Sequence, residues 1–373
     1  MPGAALAESY VDELLALGRA SGLDAVGVAP AAPMTRARRV IEQRKAAGLH
    51  GGMQFTYRNP ARSTEPSQSV PGARAMVVGA RAYRRDEPDP PAGTAAGRVA
   101  RYAWADFYAP LRAGLGAVAQ RLRDDGWSAR VFADDNAIVD REAAHQAGIG
   151  WFGKNANLLL PGRGSWFVLG SVVTTAPLPA APRTAPDGCG SCTACVEGCP
   201  TGAIVASGVV DARRCLAWLL QQEGSFPRQF RAALGDRLYG CDDCQEVCPP
   251  NRRLAHRATG APPPSDAELE AWVPIIELLD ESDEILLARH GRWYIPRREP
   301  RWLRRNALVV LGNIGDGRSS GVGAVLARYL ADPDPMLRAH AVWAARRLGR
   351  ADLLALVADD PDAGVREELS AGA

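Results

Sequence analysis

Eight cysteines, all between positions 189 and 248 of a 373-residue chain, constrain the fold more than any other feature. Cys189, Cys192, Cys195 and Cys199, followed by Pro200, spell C-x2-C-x2-C-x3-C-P. In such a run one tight loop delivers three thiolates to three irons of a [4Fe–4S] cubane, and the next turn carries the fourth toward a second cluster. Cys241, Cys244 and Cys248 with Pro249 form a matching half that is one cysteine short, and Cys215 is the only spare. Reciprocal sharing then assigns Cys189, Cys192, Cys195 and Cys248 to one cluster, and Cys199, Cys215, Cys241 and Cys244 to the other. Two rival uses of the thiols stay open. Four disulfides would suit an oxidising compartment; two tetrahedral zinc sites would need neither the interleaved third cysteine nor the Cys-Pro ending.

Apolar residues make up 47% of the chain and charged residues 23%, which fits a folded protein, and the length predicts two or three domains. The opening residues mix acids with apolar side chains and lack the basic and uninterrupted apolar regions of a secretory signal. No segment reaches the roughly 18 unbroken apolar residues of a membrane span. A cytoplasmic protein with no membrane partner is expected. A net charge of +2 neither demands nor forbids a nucleic-acid partner, so only local clustering informs that question.

Residues 11–17, 35–47, 111–122 and 138–147 have helical spacing, while 24–29, 75–80 and 166–174 read as strands. This predicts an α+β domain over residues 1–180. The proline-bearing stretch 84–97 reads as a surface loop. A second Pro-rich stretch, 176–186, and a break at 260–264 bracket the cysteines, which predicts a small ferredoxin-like module over 181–260. Beyond it, LRRNALVVLGNIG from Leu303 and LRAHAVWAARRLG from Leu337 share one pattern at an offset of 34 residues, and a weaker third copy starts at Val365. Stacked helix-pair repeats over 265–373 follow from that spacing, with an ordinary helical bundle as the alternative.

Three further features are ambiguous by chemistry alone. Asp134, Asp135 and Asn136 precede a helical stretch that they could simply cap. Gly148, Gly153 and Lys154 nearly spell a phosphate-binding G-x4-G-K-[ST], but Asn155 replaces the hydroxyl residue and a helix, not a strand, leads in. Arg297, Arg298, Arg301, Arg304 and Arg305 crowd one stretch with Trp293, Tyr294 and Trp302. They could grip phosphates and stack on bases, or form a solvated helix face over core aromatics.

Taken together, RYAW at residues 101–104, AGIGWFGKN at 147–155, the two cysteine runs, YGCDDCQEVCP from Tyr239 and LRRNALVVLGN from Leu303 give a chain that resembles the epoxyqueuosine reductases, over nearly its whole length. The resemblance implies a cobalamin-binding α+β domain, a double [4Fe–4S] module and a HEAT-like domain that helps grip tRNA. The implied reaction is reduction of epoxyqueuosine to queuosine in the anticodon region of tRNA, with electrons passing from the clusters to cobalamin. It further implies Asp134, seven residues before Arg141, as proton donor. Arg62, Arg141, Lys154, Asn155, Leu158, Gln221, Asp242 and Asp243 are implied around the cobalamin, with Asp134 among them. An external electron donor and a monomeric state complete the expectation.

Two departures from the family pattern stand out. Asp134-Asp135-Asn136-Ala137 replaces the frequent Asp-Thr-Ala-Pro or Asp-Thr-Gly, and Tyr108 stands where a histidine often lies. A cobalamin-dependent reductase of another substrate, akin to reductive dehalogenases, and an iron–sulfur electron carrier are the alternative readings.

Overall fold

The computed structural model describes residues 6–181, 183–254 and 269–371; the break expected at 260–264 lies outside them. The chain divides into two compact units, each gathered from three stretches. The first takes Met1–Asp86, Asp106–Arg213 and Asp243–Pro263, and the second takes Glu87–Ala105, Arg214–Asp242 and Pro264–Ala373.

The first unit is built on a four-stranded antiparallel sheet in the order Ala25–Pro30, Ala75–Ala82, Phe167–Thr174, Ala129–Ala133. Three of these strands are the apolar stretches that the sequence marks. The edge strand Ala129–Ala133 has only Phe132 fully buried, so it carries no apolar run to read. Helix Tyr108–Asp124 lies on one face. Gly79 and Gly170 stand opposite each other in register, and a Cβ on them would come within 3.0 and 2.8 Å of the Leu115 methyls. The two glycines thus form the seat for a fully buried Leu115, whose burial contributes roughly 1.5–3 kcal/mol. Gly126, at φ 88°, ends this helix by donating to the Arg123 carbonyl and turns the chain into the edge strand. Met76, Val78, Phe132, Ile138, Ala144 and Val173 fill the opposite face.

In the second unit, strand Ala96–Val99 pairs parallel with Arg237–Tyr239 and antiparallel with Trp272–Pro274. The stretch expected to be loop as far as residue 97 therefore ends in a strand. Gly97 makes the pairing possible, since a Cβ there would lie 2.7 Å from the Leu238 Cβ and 2.8 Å from a methyl of Ile275.

Helices Arg301–Ile314, Ser320–Leu330, Pro335–Arg347 and Ala363–Ser370 form the repeats. Asp334 caps its helix by accepting from Met336 N–H, and Asp362 caps the last by accepting from Val365 N–H. Arg338 donates to the carbonyls of Asp332 and Pro333, as Arg366 does to those of Asp360 and Pro361. The copy that starts at Val365 repeats the internal bonding of the one before it, which is why its short sequence still folds as a repeat.

Candidate active site

Cys189, Cys192, Cys195 and Cys248 line one cavity of about 110 Å³ within the first unit, together with Trp151, Gly153, Lys154 and Asn155. Close packing between the two cysteine runs brings the distant Cys248 there. A Cβ on Gly198 would sit 2.8 Å from a methyl of Val247, so the backbone before Cys199 packs directly on the side chain before Cys248. Gly188 similarly lets the first cysteine loop lie flat on the Trp151 indole, with only 2.7 Å available to a Cβ. A buried network anchors the second run: Ser165 Oγ donates to Gln245 Oε1 at 2.9 Å, and Asn251 Nδ2 donates to Ser165 Oγ at 2.9 Å and to the Gln245 carbonyl at 2.8 Å.

The donor set fits a cubane. The sulfurs ring a cavity, and among the described residues no three Cys, His, Asp or Glu side chains gather closely enough for a single ion. Burial pushes the Cys248 thiol up to about 11, and Cys195, Cys189 and Cys192 add to the rise. Four thiolates can share this space only when iron offsets their charge. Lys154 donates from Nζ to the Gly190 carbonyl at 2.8 Å, which holds a cation beside the cysteine loop. Of the other four cysteines, Cys199 and Cys244 belong to the first unit, and Cys215 and Cys241 to the second. Cys199 Sγ accepts from Ala203 N–H at 3.2 Å and lies 3.7 Å from Thr201 Oγ1.

Residues 153–157 form the turn of a small hairpin, Trp151–Phe152 against Leu158–Leu159. The turn leads into a strand, so the near-match to a phosphate loop has no helix N-terminus to offer an anion. Asn155 is buried and donates to the Cys244 carbonyl at 3.2 Å. Leu158 packs into the sheet core beside Ile138 and Ile149. Ala156, at φ 63°, presents its carbonyl to Arg141 Nη1 at 3.3 Å.

Arg141 belongs to helix Asp140–Gln146, and the loop before that helix carries Asp134 at φ 56°, a backbone region that bulky residues rarely adopt. The loop is pinned from below. Ser63 Oγ donates to the Asn136 carbonyl, and Val139 N–H donates to the Ser63 carbonyl. Ser63 ends the short helix Pro60–Ser63, which places the exposed Arg62 next to the loop. Asp134 is exposed and Asp140 half-buried, yet crowding by protein is the largest cause lifting both carboxyls above their usual range, well above it for Asp140. Arg112 opposes the rise at Asp134, while Asp106 and Asp135 add to it. Tyr108, half-buried at the start of its helix, is pushed up by the same crowding and then by Asp134 and Asp140. The Arg62 guanidinium and the Asp134 carboxyl make no hydrogen bond or ion pair among the described residues, while Arg62 N–H donates to Asn59 Oδ1. They offer the donor and acceptor that the peripheral amide arms of a corrin ring would take, and in that respect the residues fit cobalamin.

In the second unit, Gln221 Nε2 donates to the Tyr102 hydroxyl at 3.0 Å, and buried Asp242 accepts from Arg101 N–H at 2.7 Å. Asp243 is buried at the start of helix Asp243–Glu246 in the first unit. The arginine patch divides by burial. Arg305, expected to touch nucleic acid, is instead completely enclosed, donating to the carbonyls of Leu219, Leu220, Gln222 and Gly224. It clamps the chain after Cys215 rather than meeting a phosphate. Arg304 bonds Asp283, and Arg301 pairs with Asp334 at 2.9 Å. Arg297 and Arg298 are exposed beside Tyr294, while Trp293 and Trp302 are core.

The sequence pattern described as a 4Fe-4S double cluster binding domain matches residues 188–251, and the one described as HEAT repeats matches 294–371. An epoxyqueuosine reductase of Burkholderia pseudomallei is 35% identical, over 92% of this chain and 93% of that protein. This chain belongs to the epoxyqueuosine reductase family. A crystal structure of epoxyqueuosine reductase with an epoxyqueuosine-modified stem loop of tyrosine tRNA superposes with a TM-score of 0.86 at 27% identity, covering 97% of each chain. The epoxyqueuosine reductase of Bacillus subtilis, solved with an aspartate-bearing catalytic loop swung out of the active site, gives 0.85 at 28% identity with the same coverage. Membership makes the protein an oxidoreductase of a cobalamin- and iron–sulfur-dependent family. No helix among the described residues is long and apolar enough to cross a membrane.

Proposed function

We propose that this protein reduces epoxyqueuosine to queuosine in tRNA, with Asp134 as proton donor and with electrons delivered through two [4Fe–4S] clusters and cobalamin. The observation that carries this reading is one adjacency within the first unit. The turn that walls the four-thiol cavity through Lys154 and Asn155 is held at Ala156 by Arg141, seven residues after Asp134. A redox centre and a raised-pKa acid thus share one small framework. The modified stem loop bound by one relative and the catalytic aspartate loop of another point the same way.

Bound cobalamin supplies a low-valent cobalt centre able to push electrons into a strained carbon–oxygen bond. In the first unit, Arg62, Arg141, Lys154, Asn155, Leu158 and Asp243 would hold it. Crowding by the protein raises the Asp134 carboxyl above its usual range, which favours the protonated form that gives its proton to the epoxide oxygen as the ring opens. Arg297 and Arg298 meet the tRNA backbone in the anticodon region, with Arg301 and Arg304 flanking them. The protein works as a cytoplasmic monomer that draws on an external electron donor.

Anaerobic reconstitution with iron, sulfide and cobalamin, followed by incubation with epoxyqueuosine-tRNA and nucleoside mass spectrometry, tests the proposal. Conversion to queuosine is expected. A preparation holding roughly eight irons and one cobalt per chain that leaves epoxyqueuosine untouched would transfer the assignment to another substrate.

A further inference from the structure

The cationic side chains of this protein are almost all arginine: of 44 lysines and arginines, only Lys45 and Lys154 are lysine. Lys154 stands in the wall of the cavity that Cys189, Cys192, Cys195 and Cys248 line, and Arg253 stands in the same wall.

Lys154 is fixed from several sides. Its Nζ donates to the Gly190 carbonyl at 2.8 Å, inside the first cysteine loop. Its own carbonyl accepts from Gly208 N–H at 2.9 Å. Gly208, at φ 69°, turns the hairpin of Ile204–Ala206 against Val209–Val210, and Arg44 of helix Thr35–Ala46 donates to the Gly208 carbonyl. A Cβ on Gly153 would lie 2.4 Å from a Leu159 methyl, so the turn before Lys154 is packed tightly on its own hairpin.

A structural tie would explain the bond to Gly190, but a neutral donor would serve that purpose as well, and a carbonyl does not cancel an ammonium charge. Neither Lys154 nor Arg253 has a carboxylate partner among the described residues. The acids of the cysteine loop are engaged elsewhere: Asp187 accepts from Cys189 N–H at 2.8 Å and Glu197 from the Thr193 hydroxyl at 2.5 Å. Two positive charges therefore border a cavity whose four thiolates make a cluster there anionic. Each electron that enters adds a further negative charge at the same place, so the cations stabilise the reduced form more than the oxidised one. Cys192 and Arg253 are exposed, and water screens Arg253 more than it screens the half-buried Lys154.

We propose that Lys154 and Arg253 raise the reduction potential of the cluster held by Cys189, Cys192, Cys195 and Cys248, so that an external one-electron donor fills it readily. One electron leaves the donor, which is oxidised, and reduces the cluster; no bond breaks and no proton moves. The inference rests on the assignment of those four cysteines to one cluster, and it holds whatever the final substrate.

The test is a redox titration of the full chain with a low-potential reductant, after anaerobic reconstitution with iron and sulfide but without cobalamin, read by electron paramagnetic resonance. The step of the first cluster is the one that Cys248→Ala removes. In Lys154→Met that step should become about tenfold less favourable, a midpoint about 59 mV lower, with iron content unchanged. Lys154→Arg should recover most of the loss, and Arg253→Gln should cost about threefold. Lys154→Met with full iron and an unmoved step, or Lys154→Arg displaced as far as Lys154→Met, would overturn the proposal. If Lys154→Met takes up no iron, Arg253→Gln decides: a lowered step supports the proposal and an unmoved one overturns it. If Cys248→Ala removes neither step, the cluster assignment fails instead.

Discussion

The Ser63 hydroxyl donates to the Asn136 carbonyl at 2.7 Å, fixing the loop of Asp134 to the helix that carries Arg62. Ser63 is 1% exposed, so water cannot replace the bond. Ser63→Ala is expected to leave the Asn136 carbonyl unpaired, loosening the loop by about 1–2 kcal/mol and lowering kcat on the order of tenfold. Steady-state turnover alongside iron content checks this. Loss of iron as well would show a general collapse instead of a local one.

Asp134→Asn keeps the shape of the side chain and removes the transferable proton. Clusters and cobalamin should stay bound while turnover falls roughly 100- to 10,000-fold, measured by queuosine formation. A variant as fast as the wild type would remove Asp134 from the proton-donor role.

Cys248 is the one cavity thiol contributed by the second cysteine run. Cys248→Ala should strip the first cluster and bring iron from roughly eight to roughly four per chain. Iron assay and electron paramagnetic resonance of the reduced protein would show it. Full iron content with both signals intact would break the assignment.

Arg305 and Arg297 should separate stability from binding. Arg305→Leu abandons four backbone carbonyls inside the second unit and is expected to cost about 3–5 kcal/mol in chemical denaturation. Arg297→Ala with Arg298→Ala should leave stability within about 0.5 kcal/mol and reduce the salt dependence of tRNA affinity by about two phosphate contacts. An unchanged salt slope would move the tRNA surface elsewhere.

Much of the fold is legible because its signals are local. The strands Ala25–Pro30, Ala75–Ala82 and Phe167–Thr174 announce themselves by apolar run, and the repeats by the recurrence of Leu303 at Leu337. The edge strand Ala129–Ala133 does not, because a strand that buries one side chain leaves no run to see. Nor does the strand role of Gly97, which depends on how closely Leu238 and Ile275 approach it.

The candidate site follows the same division. Ligand type, ligand number and the Cys-Pro endings are covalent facts of neighbouring residues, so the sequence alone points to two iron–sulfur clusters while leaving disulfide and zinc readings open. Burial and the company of distant groups are set only when the chain folds. Nothing in the run of arginines distinguishes Arg305 from Arg297, yet one is sealed among carbonyls and the other is exposed. Asp140 reads as an ordinary helix-starting acid until folding crowds it beside Asp134 and Tyr108. Desolvation and electrostatic coupling between remote positions are properties of the packed structure, and there the tertiary fold decides which acids keep their protons.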